Sequence, residues 1–180
     1  AMGDSLTLDR RQFLGAGLAG SALLAGGATL ASLSGCSAPM TPADGYLHLR
    51  SADLALLAPM VPVILAGALG NPQQDTPRVL QRLDGMLDVA APGSREALFQ
   101  LYDVLQLGAF RWWVMDRWAH PADLSASDID EGLARWSRRQ NSFARLAFNG
   151  LCQSLTMAWY TDPDNARSTG YPGPPRKVNA

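Results

Sequence analysis

Apolar residues recur at every third or fourth position through most of residues 51–161, the spacing that places them on one face of an α-helix. Alternation of apolar and polar residues with a period of two, which marks a half-buried strand, is not sustained in this segment. The pattern therefore predicts an all-α domain, a small bundle of about five helices.

The first predicted helix begins at a capping Ser51 and contains an almost wholly apolar run over residues 54–69. A helix without a polar face is expected at the centre of the core, although Pro59 and Pro62 should kink or interrupt it. A second helix is expected to open with Pro77 in its first turn. Its predicted apolar side consists of Val79, Leu80, Leu83, Met86 and Leu87, and its polar side of Arg78, Gln81, Arg82 and Asp84.

The third predicted helix covers residues 95–118 and follows a capping Ser94. Near its end it brings together three tryptophans, Trp112, Trp113 and Trp118. Because tryptophan combines a large apolar area with one hydrogen-bond donor, it fills cores and also anchors interfaces. We expect one or two of these three side chains to be buried and at least one to face outward.

The fourth predicted helix opens with a capping box of Ser127 and Asp130 and ends near Arg139. Its apolar face consists of Ile129, Leu133 and Trp136. The fifth predicted helix covers residues 141–160 and has small residues along one side, which would let another helix approach closely. These small residues are Ala147, Gly150, Ser154 and Ala158.

Residues 162–180 are rich in proline and glycine and are expected to form an extended, non-helical C-terminal tail. Within this tail, residues 171–175 should be polyproline-like, with Tyr171 as an amphipathic side chain beside Pro172. Such a tail either lacks fixed structure or lies along a groove of its own domain or of a partner.

A different pattern precedes the helical region. Arg10 and Arg11 come shortly before Phe13 and Leu14, and no charged residue follows until after Cys36. This arrangement is typical of a bacterial twin-arginine export signal, which is read by a receptor and does not belong to the fold. The apolar run is about as long as a bilayer core requires, so a retained anchor is the alternative. Its richness in glycine, alanine and serine favours cleavage.

The end of the apolar run offers two cleavage sites. Leu33-Ser34-Gly35-Cys36 has the order of a bacterial lipobox, in which Cys36 becomes the lipidated first residue of the mature protein and anchors it to a membrane. The alternative is ordinary cleavage nearby, which Pro39 disfavours. With lipidation as the favoured hypothesis, residues 1–36 are the signal and residues 37–50 are a tether to the helical domain at residues 51–161.

Composition restricts the function further. The formal net charge is −1, so the chain lacks the excess of positive charge that is typical of nucleic-acid-binding proteins, and no nucleic-acid partner is expected. Only 17% of the residues are charged, below the usual quarter, and with five tryptophans this favours a surface that a partner covers. If Cys36 is lipidated, Cys152 is the remaining cysteine, and its apolar neighbours predict a buried thiol rather than a disulfide.

The residue types that carry chemistry are sparse. His48 and His120 are far apart and have no cysteine or carboxylate cluster at metal-ligand spacing, so both are expected to be structural. Nucleotide-binding, nucleophile-elbow and haem-attachment motifs do not occur. The acidic residues near 130 lie at the predicted start of a helix, where the helix dipole stabilises negative charge. The predicted fourth helix also ends in several arginines, which either form a solvated face or pair with carboxylates of another protein. These are Arg135, Arg138 and Arg139. We therefore predict no catalytic, cofactor-binding or metal-binding residue.

Three segments together resemble a known family. They are Arg10-Arg11-Gln12-Phe13-Leu14, the Ala158-Trp159-Tyr160 end of the last helix, and the Gly-Tyr-Pro-Gly-Pro-Pro sequence of residues 170–175. With a short all-helical domain between them, they resemble the small subunits of membrane-associated FAD-dependent dehydrogenases, of the gluconate 2-dehydrogenase subunit 3 and sorbitol dehydrogenase small-subunit type.

The resemblance implies a non-catalytic, chaperone-like subunit of an oxidoreductase complex, with no cofactor of its own. Its partner would be a large FAD-containing dehydrogenase of the glucose-methanol-choline (GMC) type that lacks an export signal. The pair would fold in the cytoplasm and reach the periplasm by the twin-arginine route on the signal of this chain. There the partner would oxidise an alcohol or a sugar and pass electrons to a cytochrome c subunit or a quinone.

On this hypothesis, aromatic residues of the third and fifth helices and of the tail should contact the partner. They are Trp112, Trp113, Trp118, Trp159, Tyr160, Tyr171 and Pro172. The alternative hypothesis is a stand-alone periplasmic helical lipoprotein that binds a small apolar ligand between its helices, which the apolar first helix and the tryptophans favour. An independent enzyme is the least supported class, since no catalytic motif occurs.

Overall fold

The protein is described by a computed structural model over residues 41–168 and residue 170. Eight α-helices occur in this part of the chain, with a 3-10 turn at Pro121–Asp123 between the fifth and the sixth. No strand occurs there, so the predicted all-α fold is confirmed. The helices are α1 (Ser51–Leu57), α2 (Val61–Ile64), α3 (Pro72–Val89), α4 (Pro92–Gln106), α5 (Gly108–Met115), α6 (Ala126–Ser137), α7 (Ser142–Tyr160) and α8 (Pro163–Ser168).

Seven residues of the sequence-based predictions lie outside the described residues. The export signal, the lipid attachment and the polyproline-like segment therefore stay predictions. The residues concerned are Arg10, Arg11, Phe13, Leu14, Cys36, Tyr171 and Pro172.

The apolar first helix is two short helices, α1 and α2, and Pro59 lies in the break between them, as predicted. Pro62 does not interrupt a helix, because it lies in the first turn of α2, where proline is tolerated. The capping residue is Arg50 rather than Ser51, since the Asp53 carboxylate accepts the backbone N–H of Arg50 at 2.9 Å. The central position of this region is confirmed. Its side chains at Leu56, Leu57, Met60 and Val61 have no solvent exposure.

Helix α3 begins at Pro72, earlier than the predicted start near Pro77. The side chain of Asn71 caps it by accepting the backbone N–H of Gln73 at 3.1 Å, and Pro72 suits the first helical position. Pro77 consequently lies inside the helix, where it cannot donate the helical hydrogen bond. The cap and the first-turn proline decide where this helix starts.

The predicted third helix is divided into α4 and α5 at Leu107, whose backbone is extended. Helix α4 starts at Pro92, with Ala91 rather than Ser94 at its cap. Helix α5 ends at Met115, and its C-cap Asp116 adopts the left-handed conformation with φ 59°. The break turns the tryptophan-bearing segment into a short helix with its own orientation.

Two further boundaries differ from the predictions. Helix α6 is capped by Ser125 rather than Ser127, because the Ser125 hydroxyl accepts the backbone N–H of Asp128 at 3.1 Å. Residues 163–168 form helix α8 instead of an extended tail. Pro163 is compatible with a first helical turn, and the Asp162 side chain accepts the backbone N–H of Asp164 at 2.9 Å.

Helix α7 is the longest helix and packs against α2, α3, α4 and α6. Its small residues face packed surroundings: Ala147, Ser154 and Ala158 are buried, and a Cβ atom at Gly150 would lie 3.4 Å from Leu101. Three of the four small residues are thus buried, whereas Gly150 is half-buried. Within the described residues, no helix is long and apolar enough to cross a bilayer.

Asp84 corrects the prediction of a polar outer side on α3, since it is only 4% exposed. Its carboxylate accepts the backbone N–H groups of Leu47, His48 and Leu49 at 2.6, 2.9 and 2.8 Å. These contacts bind the segment before α1 to the side of α3. A carboxylate with three backbone donors satisfies groups that would otherwise be buried without partners.

We predict that Asp84→Ala lowers the free energy of unfolding by about 2–4 kcal/mol, because three backbone donors lose a charged acceptor. Urea denaturation followed by far-ultraviolet circular dichroism measures this change. Asp88→Ala is the matched control, since Asp88 lies one turn further along α3, is 55% exposed and binds only His48. An equal loss of stability in both variants would contradict the assigned role of Asp84.

Candidate functional site

The three neighbouring tryptophans are all on the outside of the protein. Trp112, Trp113 and Trp118 are 49%, 37% and 62% exposed, which corrects the expectation that one or two would be buried. The physical reason is the short helix α5, whose inward positions are occupied by Arg111, Val114 and Met115. Trp112 and Trp118 stack with ring centroids 5.7 Å apart and an interplanar angle of 23°.

Arg111 is buried beneath this stack and donates to four backbone carbonyl groups. Its Nη1 donates to Leu105 and Gln106 at 2.7 and 2.6 Å, at the C-terminal end of α4. Its Nη2 and Nε donate to Trp118 and Ala119 at 2.9 and 3.1 Å. One guanidinium group thereby fixes the end of α4 and the loop that follows α5, and with them the Trp112–Trp118 stack.

No carboxylate pairs with Arg111 within the described residues. Burial lowers its pKa, yet a guanidinium group stays charged at neutral pH. The charge is instead compensated by carbonyl dipoles, two of which belong to the negative end of α4. This arrangement uses the planar guanidinium group of arginine, which holds five N–H donors in a fixed geometry that the single ammonium group of lysine cannot reproduce.

His120 completes the same loop and is a loop residue, as predicted. Its Nδ1 accepts the backbone N–H of Ala122 at 3.2 Å, which assigns the proton to Nε2, 3.1 Å from the side-chain oxygen of Gln106. Burial, with a smaller contribution from the charge of Arg111, lowers the pKa of His120 and favours this neutral form. The imidazole is accordingly a structural link between the loop and α4.

Trp113 belongs to a second aromatic group on the neighbouring side of α5. The ring of Phe110 lies 5.6 Å from Trp113 and 6.0 Å from Phe143, and it packs edge-on against the buried Trp136 at 6.1 Å. Phe143 is 55% exposed, so the group reaches the surface at the start of α7. There it adjoins an apolar groove.

The groove lies between α4 and α7 and has a volume of about 390 Å³. Its walls are formed mainly by aliphatic side chains, and Gly150 leaves room in its floor. Leu146 on its rim is 71% exposed. The residues that line it are Ala97, Leu98, Gln100, Leu101, Val104, Phe143, Leu146, Ala147 and Gly150.

The structure does not bring the other predicted interface residues to this surface. Trp159 is only 6% exposed and packs in the core, so its prediction as a surface contact is wrong. The side chain is buried because Trp159 lies on the inward-facing side of α7. Its backbone carbonyl accepts a hydrogen bond from the side-chain amide of Asn165 at 3.0 Å. Tyr160 is half-buried against the core. Tyr171 and Pro172 lie outside the described residues.

The remaining reactive side chains have structural surroundings. Cys152 is half-buried rather than fully buried, and burial raises the pKa of its thiol to about 11, which leaves little thiolate at neutral pH. The Nε2 atom of His48 lies 3.0 Å from the Asp88 carboxylate. Arg135 pairs with Asp116 at 2.8 Å. Over the described part of the chain, no group of three or more histidine, cysteine and acidic side chains could hold a metal ion.

Sequence reasoning missed Arg111 and the burial of Asp84. Arg111 carries a signal in hindsight, because it is the single charged residue in the sequence Gly-Ala-Phe-Arg-Trp-Trp-Val-Met of α5. A charged side chain on the inward-facing side of an apolar helix requires buried hydrogen-bond acceptors.

Comparison of the chain with protein-family models, with curated proteins and with solved structures gives no match.

We predict that Arg111→Lys destabilises the protein by about 2–4 kcal/mol, because an ammonium group cannot reach four carbonyls that the guanidinium group reaches together. Near-ultraviolet circular dichroism should also lose the contribution of the stacked Trp112 and Trp118 rings. Arg117→Lys is the control, since Arg117 makes ion pairs at the surface with Asp128 and Glu131. Unchanged stability and an unchanged tryptophan spectrum in Arg111→Lys would contradict the role given to Arg111.

Proposed function

We propose that this chain is a non-catalytic accessory subunit that binds a large FAD-dependent alcohol or sugar dehydrogenase of the GMC type. It assists the folding of that partner and carries it through the twin-arginine route to the periplasmic side of a bacterial membrane. The catalytic centre and the FAD belong to the partner, which passes its electrons to a cytochrome c subunit or a quinone.

The observation that carries this proposal is the rigid, exposed Trp112–Trp118 stack. Exposed tryptophans cost free energy in an isolated protein, whereas interface hot spots are enriched in tryptophan. Two hydrogen bonds of Arg111 hold the carbonyls of Trp118 and Ala119, and the other two hold the end of α4, so the backbone on both sides of α5 is fixed before binding. Such a preorganised aromatic surface suits a stable protein–protein contact better than a solvent-facing role.

The sequence before the described residues gives independent support. Arg10-Arg11-Gln12-Phe13-Leu14 is typical of a signal for the export of folded proteins, many of which contain cofactors. A chain whose residues predict no cofactor site gains little from this route for itself. A cofactor-containing partner that lacks a signal would need it. The resemblance of the three segments to dehydrogenase small subunits identifies a flavoprotein as that partner.

We predict that co-expression with a GMC-type flavoprotein encoded in an adjacent reading frame yields a yellow complex with one flavin per accessory chain. Trp112→Ala with Trp118→Ala should weaken the complex by a factor of roughly 30 or more, since a hot-spot tryptophan contributes about 2 kcal/mol or more. Size-exclusion chromatography with absorbance at the flavin and protein bands measures the stoichiometry, and titration calorimetry measures the affinity.

Val89→Ala is the matched control, because Val89 is an apolar residue on α3 with 85% exposure. This variant should retain the affinity of the unmodified chain. Thermal unfolding of the double tryptophan variant, measured alone, shows whether its core is intact. A folded double variant that binds the flavoprotein as tightly as the unmodified chain would contradict the docking role of the stack.

The export part of the proposal predicts that Arg10→Lys with Arg11→Lys retains both proteins in the cytoplasm. The reason is that the flavoprotein depends on the signal of this chain for recognition by the export receptor. Cell fractionation with flavin fluorescence of the periplasmic fraction measures the outcome. Arg78→Lys with Arg82→Lys is the control for arginine replacement outside the signal. Arrival of the flavoprotein in the periplasm despite the signal-region variant would contradict joint export.

A second candidate function is a stand-alone periplasmic lipoprotein that binds a small apolar ligand. The groove of about 390 Å³ between α4 and α7 favours it, because its size and aliphatic walls lie within the range of small-molecule sites. Gly150→Leu would fill the groove floor from the position that lies 3.4 Å from Leu101. The measurement is the binding of an apolar fluorescent probe. The second function would be favoured over the first if the unmodified chain binds the probe but no flavoprotein, and if Gly150→Leu no longer binds the probe.

A further inference from the structure

We propose that the corner between α6 and α7 is a docking surface for an anionic lipid bilayer. The corner is defined as residues 138–146 together with the adjoining Trp113. This surface is distinct from the Trp112–Trp118 stack. The inference rests on the proposed function in one respect only, the predicted lipid anchor at Cys36, and its vesicle measurements are made without the flavoprotein.

The corner has an uncompensated positive charge. Every residue from 138 to 146 except Ala144 is exposed, and the segment contains Arg138, Arg139 and Arg145. The chain has no acidic residue between 132 and 161. Among the described residues, none of these three arginines takes part in an ion pair.

Large apolar side chains lie among these charges. Phe143 and Leu146 are 55% and 71% exposed. Trp113 is attached to the same surface, since Arg139 donates to its carbonyl group and Phe110 bridges its ring to that of Phe143. Tryptophan, phenylalanine and leucine beside arginine form the composition that inserts into the headgroup region while the cations contact anionic lipids.

Helix dipoles do not account for the whole cluster. Arg138 and Arg139 follow the C-terminal end of α6, where a cation is favourable. Arg145 lies in the first turn of α7, which contains no acidic residue and where the helix dipole disfavours a cation. Its charge therefore gains nothing from the helix dipole, and an anionic surface would stabilise it.

The short connection between the helical domain and the predicted lipid anchor favours a bilayer over a protein as that partner. Among the described residues, the first backbone hydrogen bond along the chain is that of the Ala43 N–H, which donates to the Leu49 carbonyl at 2.8 Å. Ala43 lies seven residues after Cys36, so the backbone between them reaches at most about 25 Å. A domain anchored so closely must present some surface to the membrane.

Helix α4 relates this tether to the corner. Pro42 and Phe99 line a cleft along one side of α4. On another side of the same helix, Leu98 lines the apolar groove with Phe143 and Leu146. The residues after the tether and the groove beside the corner thus contact different faces of the same helix, and the short tether keeps this part of the domain within reach of the bilayer.

The test measures sedimentation of the full chain with phosphatidylcholine vesicles, with and without phosphatidylglycerol. The measured quantity is the affinity for vesicles with phosphatidylglycerol divided by the affinity for vesicles without it. The apolar run after Leu14 has no charge and should bind both kinds of vesicle alike, so this ratio reports on the contribution of charge. We expect a ratio well above one for the unmodified chain. Arg138→Gln with Arg145→Gln should lower it by about 30-fold, which corresponds to about 1 kcal/mol for each arginine near an anionic surface.

Arg78→Gln with Arg167→Gln is the matched control, because these arginines are 62% and 68% exposed and their loss changes the net charge equally. Its ratio should stay within about threefold of that of the unmodified chain. Phe143→Ser with Leu146→Ser should weaken binding to the anionic vesicles, and circular dichroism verifies that each variant is folded.

Three results would overturn the proposal. One is a ratio near one for the unmodified chain, and another is an equal loss of affinity in the control pair. The third is unchanged vesicle binding in Arg138→Gln with Arg145→Gln while the same variant loses the flavoprotein, which would assign the corner to the protein partner. Failure of the flavoprotein to bind the unmodified chain would contradict the proposed function but would not affect the vesicle measurement.

Discussion

The buried guanidinium group of Arg111 is the contact on which the functional surface depends. It donates to carbonyls at the end of α4 and in the loop after α5, two segments that His120 also links through the side chain of Gln106. A charge buried without a carboxylate is stable only when every donor has an acceptor of good geometry. Five donors in a fixed plane meet this condition, and the outward position of Trp112 and Trp118 follows from it.

A second set of charged groups holds the region around α1 in place. Arg50 binds Asp53 on α1 and Asp103 on α4 at 2.8 and 2.6 Å, and its guanidinium carbon lies 5.2 Å from the ring centroid of Phe99. Asp84 holds the segment before α1 through backbone donors. The short helices α1 and α2 have few internal hydrogen bonds, so these charged contacts and the apolar core supply their stability.

If both proposals hold, the two surfaces have separate roles. The Trp112–Trp118 stack is aromatic and is carried by a backbone that Arg111 holds, as suits a protein partner that binds in one orientation. The corner between α6 and α7 combines exposed arginines with exposed Phe143 and Leu146, as suits a fluid anionic surface. Because Trp113 lies beside Trp112 on α5, the two surfaces are neighbours, and a partner held by the stack would lie close to the bilayer.

The sequence by itself determined the all-α class, the course of α6 and α7, and the core faces of α3 and α6. These follow from periodic apolar positions such as Val79, Leu83 and Trp136, whose burial depends mainly on local helix geometry. Only the tertiary structure decided that Leu107 divides one predicted helix, that Trp159 faces inward, and that three tryptophans face outward. The physical reason is the range of the interactions. Asp84 binds a backbone 37 residues away, and the carbonyls that hold Arg111 become neighbours only after the chain folds. Such contacts leave no periodic signal in the sequence.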